Sequence, residues 1–203
     1  MRQRVPLQSI RSLIHYIGAM KASQTLISTS KFLSLVLRHQ PDVIGMKLDE
    51  EGWLEIDDLI ASANARGKKL TLELVHEVIA TNDKRRFALS EDGLRIRASQ
   101  GHSVSGVDLK LEKQTPPATL YHGTVAAFLD SIREGGLQKR ARNHVHLSGD
   151  ETTATKVGSR RGKPIILRVA AGMMHEDGQE FFLSANGVWL VDSVPTKYLA
   201  FPR

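Results

Sequence analysis

Between Ser30 and Ala98 the spacing of apolar residues changes once, from a helical period to strict alternation, and this switch restricts the segment to a helical block closed by a hairpin. Phe32, Leu33, Leu35, Val36 and Leu37 recur at helical spacings, Ser30 stands where a helix cap belongs, and Pro41 forbids continuation past Arg38-His39. A second helix is announced by Asp57-Asp58, acids suited to a first turn, with Leu59, Ile60 and Ala63 as its stripe and Gly67 as its left-handed stop. A third starts at Thr71 and runs through Leu72, Leu74, Val75, Val78 and Ile79 toward Asn82. From Arg86 the period is two: Arg86 to Leu89 alternates, Glu91-Asp92-Gly93 supplies turn chemistry, and Leu94 to Ala98 alternates again with Ile96 inward. Three helices followed by a hairpin make a winged-helix pattern.

Residues Ser99 to Pro117, rich in Ser, Gly, Gln, Lys and Pro, read as a linker between two lobes. Beyond it, Leu120-Tyr121-His122 is strand-like, Thr124 is placed to cap a helix through Phe128, Leu129 and Ile132, and Gly135-Gly136 stops that helix. His144 to Ser148 is a further strand, Asp150 to Val157 a short helix, and Ile165 to Val169, Gly187 to Val191 and Leu199 to Phe201 are strands. The expectation is an α+β protein with an extension over 1–29, a first lobe over 30–112 and a second over 118–203. Residues 1–29, basic and without an acid, are read as a loose extension or an extra helix rather than a targeting signal.

The 203 residues include no cysteine, which excludes a disulfide framework, a thiol nucleophile, an iron–sulfur cluster and a thiolate zinc site. A net charge of +6 favours an anionic partner. No apolar run approaches the roughly 20 residues that span a bilayer, so a soluble, cytoplasmic monomer is expected. The positive charge is focused between Lys139 and Lys163, where Lys139, Arg140, Arg142, Lys156, Arg160, Arg161 and Lys163 face only Asp150 and Glu151.

Four segments carry candidate chemistry. Arg38-His39 ends an apolar helix, where cations either satisfy the last carbonyls and the dipole or grip a phosphate together. Lys84-Arg85-Arg86-Phe87 opens the hairpin; with Phe87 inward Arg86 looks out, as part of a solvated wing or toward a nucleic-acid backbone. His122-Gly123-Thr124 lies at a strand-to-helix junction, and alternation puts His144, His146 and Ser148 on one strand face, a polar pocket in preference to a metal site. Gly158-Ser159-Arg160-Arg161-Gly162-Lys163 is either a solvated turn or a mobile phosphate-contacting loop.

In order, Leu37-Arg38-His39-Gln40-Pro41, Lys84-Arg85-Arg86-Phe87, Tyr121-His122-Gly123-Thr124, His144-Val145-His146-Leu147-Ser148 and Gly158-Ser159-Arg160-Arg161-Gly162 resemble the signature segments of the RNA 2′-phosphotransferases, over about Ser30 to Phe201. The resemblance implies an N-terminal winged-helix lobe that engages RNA and a C-terminal ADP-ribosyltransferase-like lobe, mixed or antiparallel in its β structure, that binds NAD⁺ as co-substrate. It implies removal of an internal 2′-phosphate from a tRNA-like RNA through an ADP-ribosylated 2′-phosphate, leaving 2′-OH RNA, ADP-ribose 1″,2″-cyclic phosphate and nicotinamide. The family's catalytic tetrad maps by similarity onto Arg38, His39, Arg86 and Arg160, and its NAD⁺ contacts onto His122, Gly123, Thr124, His146 and Ser148, with no metal. Gly123 is expected to give the ligand backbone access. Protein-modifying ADP-ribosyltransferases place a glutamate on a late core strand, where Val191 stands here and Asp192 turns to the other face. Two rivals are an ADP-ribosyltransferase acting on nucleic-acid ends or protein, and a non-enzymatic winged-helix binding module. Against the second, the helix expected over Thr71 to Asn82 offers only Glu73, His76 and Glu77 as ionisable groups.

Overall fold

The computed structural model describes the backbone of residues 7–202 and the side chains of residues 22–202. In chain order the first half forms α1 (Leu7–Arg38), a 3-10 turn (Pro41–Ile44), β1 (Trp53–Glu55), α2 (Ile56–Asn64), α3 (Leu72–Ala80), β2 (Phe87–Leu89) and β3 (Arg95–Ala98). The second half forms β4 (Leu120–Thr124), α4 (Leu129–Gly135), β5 (Leu137–Gln138), β6 (Val145–Leu147), α5 (Glu151–Gly158) and β7 (Ile165–Val169). It continues with α6 (Ala171–Glu176), β8 (Phe182–Leu183), β9 (Trp189–Val191), β10 (Ser193–Val194) and β11 (Leu199–Ala200). The architecture is a mixed α and β one whose named strand pairs are all antiparallel.

α1 is one uninterrupted helix, so Ser30 caps nothing and the expected boundary after Thr29 falls in mid-helix. No proline breaks Leu7 to Arg38, and a serine inside a helix costs only a few tenths of a kcal/mol, too little to start a new one. The Ser30 hydroxyl instead accepts a bond of 3.3 Å from the Asn82 amide, tying α1 to the turn after α3. The expectation for residues 1–6 falls outside the described residues. Two other starts are capped: Thr71 Oγ1 accepts from the Leu74 N–H at 3.2 Å at the start of α3, and Asp150 Oδ1 accepts from the Thr153 N–H at 2.7 Å at the start of α5.

The expected hairpin forms, with Phe87 opposite Ala98, Leu89 opposite Ile96 and Ile96 buried. β1, for which the sequence carries no strand signal, adds to it on the other side with Leu54 opposite Ile96. Its three residues are too few for alternation to register. The resulting sheet, β1-β3-β2, covers a core of Leu33, Val36 and Leu37 from α1, Leu59 from α2, Val75 from α3 and Ile96. Each of those leucines, fully buried, contributes about 1.5–3 kcal/mol.

The second half is built on two three-stranded sheets, β11-β7-β4 and β6-β9-β8. They are joined where Tyr121 and Ser148 exchange both backbone hydrogen bonds, 2.9 and 2.8 Å. Leu120, Leu147, Leu167, Met174, Phe181 and Val191 fill its core. Thr124 is not a helix cap: it ends β4, buried, and Val125 precedes a 3-10 turn leading into α4. Gly123 also differs from expectation. A Cβ there would run into the Ala154 carbonyl of α5, so the missing side chain lets α5 lie against β4 rather than opening that side to a ligand. The 99–117 segment is no loose tether, since Ser99, His102 and Val107 are buried and His102 is only 2% exposed. It runs between the halves, accepting at the His102 and Val107 carbonyls from the Asn143 N–H and side-chain amide at 3.1 and 3.0 Å.

Candidate active site

Arg38 and His39 stand where α1 stops. Backbone groups occupy its last carbonyls: Leu35 O accepts from the His39 and Gln40 N–H groups at 3.0 and 2.9 Å, and Arg38 O accepts from the Ser103 N–H at 2.8 Å. Those two carbonyls are thus met by backbone N–H groups rather than by the Arg38 or His39 side chain. The Arg38 guanidinium reaches the Arg86 carbonyl at a long 3.5 Å, while its Nε is buried without a partner among the described residues. Burial, then the nearby charges of Arg86 and Arg142, push Arg38 down to about 10. His39 Nδ1 lies 2.9 Å from Ser103 Oγ, and burial, Arg38 and Arg142 hold its imidazole below the ordinary histidine range.

Arg86 leaves the start of β2 on the face opposite Phe87, as alternation requires, with Phe87 buried against the core. Its Nη1 donates to Asn82 Oδ1 at 3.1 Å, and the same oxygen accepts from the Lys84 N–H at 3.2 Å. Burial and then the charge of Arg160 lower Arg86. Arg160 sits in the 3-10 turn Ser159–Arg161 after α5, so a cation of the second half meets cations of the first. Lys84 is likewise lowered, by burial, Arg160, Arg86 and Lys156, with only Asp83 opposing. Charge thus links the four in sequence, Arg160 acting on Arg86, Arg86 on Arg38 and Arg38 on His39.

Sequence reasoning missed Arg142. This arginine precedes β6, and burial with Arg161 and Arg160 lowers it; in turn it depresses Arg38, His39, His122 and His146. The signal is present in the focused charge from Lys139 to Lys163, but nothing in spacing separates Arg142 from Arg140. None of Arg38, Arg86, Arg142 and Arg160 joins an ion pair among the described residues. Several cations gathered without a carboxylate repel one another unless an anion arrives, and arginine forks suit a phosphate.

The histidines form the adjoining wall. His122 donates from Nδ1 to the His146 carbonyl at 3.1 Å, which leaves its Nε2 as an acceptor. Arg142 Nη1 lies 3.4 Å from His146 Nδ1, and because a guanidinium only donates, the His146 proton belongs on Nε2, which is buried without a partner among the described residues. Burial, Arg142 and other cations hold His146 down to about 3, so it stays neutral near pH 7. A cavity of about 310 Å³ opens beside it, walled by His102, Asn143, His144, His146, Phe182 and Leu190. Ser148 faces the same side by alternation, one residue past β6. Among the described residues no three His, Asp or Glu side chains gather as a metal site, and no helix is long and apolar enough to cross a membrane. Asp192 turns away to accept from Lys139 Nζ at 2.6 Å, while Val191 is buried.

The family model described as RNA 2′-phosphotransferase, Tpt1 / KptA family, matches residues 24–193. A relative from Rhodopirellula baltica is 76% identical over 183 residues, covering 90% of this chain and all of that protein. One from Flavobacterium johnsoniae is 56% identical over 174 residues, 86% of this chain and 95% of the relative. A third, from Streptomyces coelicolor, is 56% identical over 176 residues, 87% and 95% of the two chains. All three carry the name probable RNA 2′-phosphotransferase. With matches spanning most of its length, the chain belongs to the RNA 2′-phosphotransferase family.

Proposed function

We propose that this enzyme removes an internal 2′-phosphate from RNA by transferring it to NAD⁺, giving 2′-OH RNA, ADP-ribose 1″,2″-cyclic phosphate and nicotinamide. The observation that supports the reading is that Arg38, Arg86, Arg142 and Arg160 are linked by charge repulsion while no carboxylate is paired to any of them among the described residues. In the reaction the RNA 2′-phosphate displaces nicotinamide from the dinucleotide's ribose, and the neighbouring ribose hydroxyl then takes the phosphorus and releases the RNA 2′-OH. A phosphate monoester has its second pKa near 6, so it arrives as a nucleophile and needs orientation rather than a general base. Arg38, Arg86 and Arg160 supply it, and such positioning is worth roughly 7–11 kcal/mol. The same guanidinium groups hold the charge that gathers on phosphorus in the second step.

His39 is the proton donor to the departing 2′ oxygen. In the free protein burial, then Arg38 and Arg142, disfavour its cation, and a bound dianion offsets the share due to the arginines, so the imidazole holds its proton more readily as substrate arrives.

The first half, from α1 to residue 112, is the RNA-engaging winged-helix lobe, a reading supported by three helices, a hairpin and the third strand β1 beside it. Residues 118–203 are the ADP-ribosyltransferase-like lobe that holds NAD⁺ through His122, Gly123, Thr124, His146 and Ser148. The residue chemistry fits that group: His122 Nε2 accepts from a hydroxyl, the unpartnered His146 Nε2–H donates, and the cavity that His146 lines takes one ring-bearing end of a dinucleotide. The space over Gly123 is filled by α5, so its contact is confined to the other side of β4. The buried Val191 where protein modifiers place a glutamate favours a substrate that brings its own anion. Incubating the protein with NAD⁺ and an RNA bearing one internal 2′-phosphate tests the proposal. Nicotinamide release with loss of the phosphate is expected, and both should fall by orders of magnitude in Arg86→Ala. Release without phosphate loss points to end or protein modification, and no release points to a binding module.

A further inference from the structure

A groove of about 630 Å³ lies between α1 and the turn after α3, and His39 and Arg86 are the two residues of the proposed tetrad that line it. Its α1 wall follows the helical stripe Ile27, Lys31, Leu35 and His39, each four residues from the next, with Ser30 and Ser34 beside it. The opposite wall is Asn82, Asp83 and Lys84, with Val78 at the base.

Three observations say what fits there. The first is charge: α1 carries Arg11, Lys21, Lys31 and Arg38 without one acid, and the first acid of the whole chain is Asp42. Asp83 is the groove's one carboxylate among the described residues, against Lys31, Lys84 and Arg86. The second is spacing: Lys31 and Arg38 are seven residues apart, nearly two turns, which sets them on one side of the helix about 10 Å apart along its axis. The third is connection. Asn82 accepts from Arg86 and from the Lys84 N–H on its oxygen and donates to Ser30 on α1, so the groove wall and the tetrad arginine share one joint. Between the cations, Ile27 and Leu35 are 47% and 38% exposed, apolar surface on which a ribose or base face can rest. A partner protein helix would need a continuous apolar floor, whereas here hydroxyls and ammonium groups alternate with the aliphatic ones, the composition that tracks a phosphate backbone.

We propose that this groove holds the single-stranded RNA flanking the phosphorylated nucleotide, with Lys31 and Lys84 contacting its backbone phosphates and Ser30 and Ser34 its sugars. The proposal rests on the 2′-phosphotransfer reading, and it makes Lys31, two turns from the tetrad, a determinant of substrate length rather than of chemistry. Burial and cationic neighbours already push Lys84 below the ordinary lysine range, as expected of an ammonium group that awaits an anion.

The test compares kcat/KM for a 2′-phosphorylated dinucleotide with that for the same dinucleotide extended on its 5′ side or its 3′ side. Wild-type protein should prefer one of the extended strands. Lys31→Ala should cut that preference about threefold and Lys31→Glu more, and with one RNA phosphate no longer neutralised the log–log salt slope should flatten by about 0.7. Lys31 is exposed, so neither variant should disturb folding. Equal use of minimal and extended strands by the wild type, or an unchanged preference in Lys31→Glu, overturns the groove assignment while leaving 2′-phosphotransfer intact. If no strand loses its phosphate, the phosphotransfer reading fails, and fluorescence anisotropy with unmodified single-stranded RNA still decides the groove. Weaker, less salt-dependent binding by Lys31→Glu supports it, and unchanged binding overturns it.

Discussion

The side chain that best separates orientation from general cationic attraction is Arg142. Its fork lies against His146 Nδ1, which fixes the imidazole with its proton on Nε2, while its charge also reaches Arg38 and His39. Removing it frees the tautomer and dilutes the phosphate site together. Arg142→Ala should lower kcat/KM by about 10- to 100-fold, the loss expected for a charge-assisted hydrogen bond of about 1.5–3 kcal/mol. Arg142→Lys keeps the charge and loses the fork, so it should recover affinity for RNA more than for NAD⁺. Equal recovery of both would show that Arg142 acts by charge alone. His39 gives a second residue-level expectation with a definite sign. In the free protein it titrates below the ordinary 6.5, because burial, Arg38 and Arg142 disfavour its cation. Adding RNA with a 2′-phosphate, without NAD⁺, should move that titration upward, and kcat should fall as pH rises through the raised value. An imidazole NMR titration that is the same with and without the RNA would remove His39 from the phosphate site.

At the scale of elements, the contact between β4 and α5 brings the strand of His122 and Thr124 and the arginine turn into one unit, since α5 runs directly into Ser159–Arg161. Gly123 and Gly158 face each other across it, and a Cβ on Gly158 would come within 3.3 Å of the Gly123 backbone. Gly123→Ala should push α5 off β4, cost about 1–3 kcal/mol in urea unfolding and shift Arg160 enough to raise KM for RNA. A variant with unchanged stability would mean that α5 is not held there. This glycine also marks where local sequence runs out of information. Its junction between strand and helix points equally to a ligand or to packing, and the packing partner, Ala154, is distant in the chain and leaves no local trace. Long, strongly periodic pieces are legible: α2, α3, the hairpin, and β7 with its run Ile165-Ile166-Leu167. The short strands β1, β5, β8 and β10 are not, because two or three residues show no period. The start of α1 is hidden because a serine in mid-helix looks the same as a serine cap until the preceding turn is known to be helical. Arg38, His39, Arg86 and Arg160 are legible as residues from the family resemblance, while their approach across the two halves is beyond any local pattern.

On the scale of the whole molecule, cations of the first half face cations of the second, and the halves are held against that repulsion by neutral polar bonds. Asn186 Nδ2 donates to the Lys84 carbonyl at 3.0 Å, and Asn143 donates to the carbonyls of His102 and Val107. His102 lies at this seam, its Nε2 buried without a partner among the described residues, and burial with Arg38, Arg97 and His39 holds it down to about 4. His146 is held down to about 3 by burial and Arg142. An unfolded chain protonates both near 6.5, so between that pH and about 4 the unfolded state binds more protons and stability falls as pH falls. Each histidine can contribute a slope of up to about 1.4 kcal/mol per pH unit in that window. Stability should therefore be level above about pH 7 and decline steadily below about 6.5, well above the range where carboxylates protonate. Urea midpoints at a series of pH values measure the decline, and His102→Phe should make it shallower even if the variant is less stable at neutral pH. The imidazole NMR titration of His102 in the intact protein gives an independent reading. A value near the ordinary 6.5 would mean that water reaches the seam and that the two halves part readily without an anion between them.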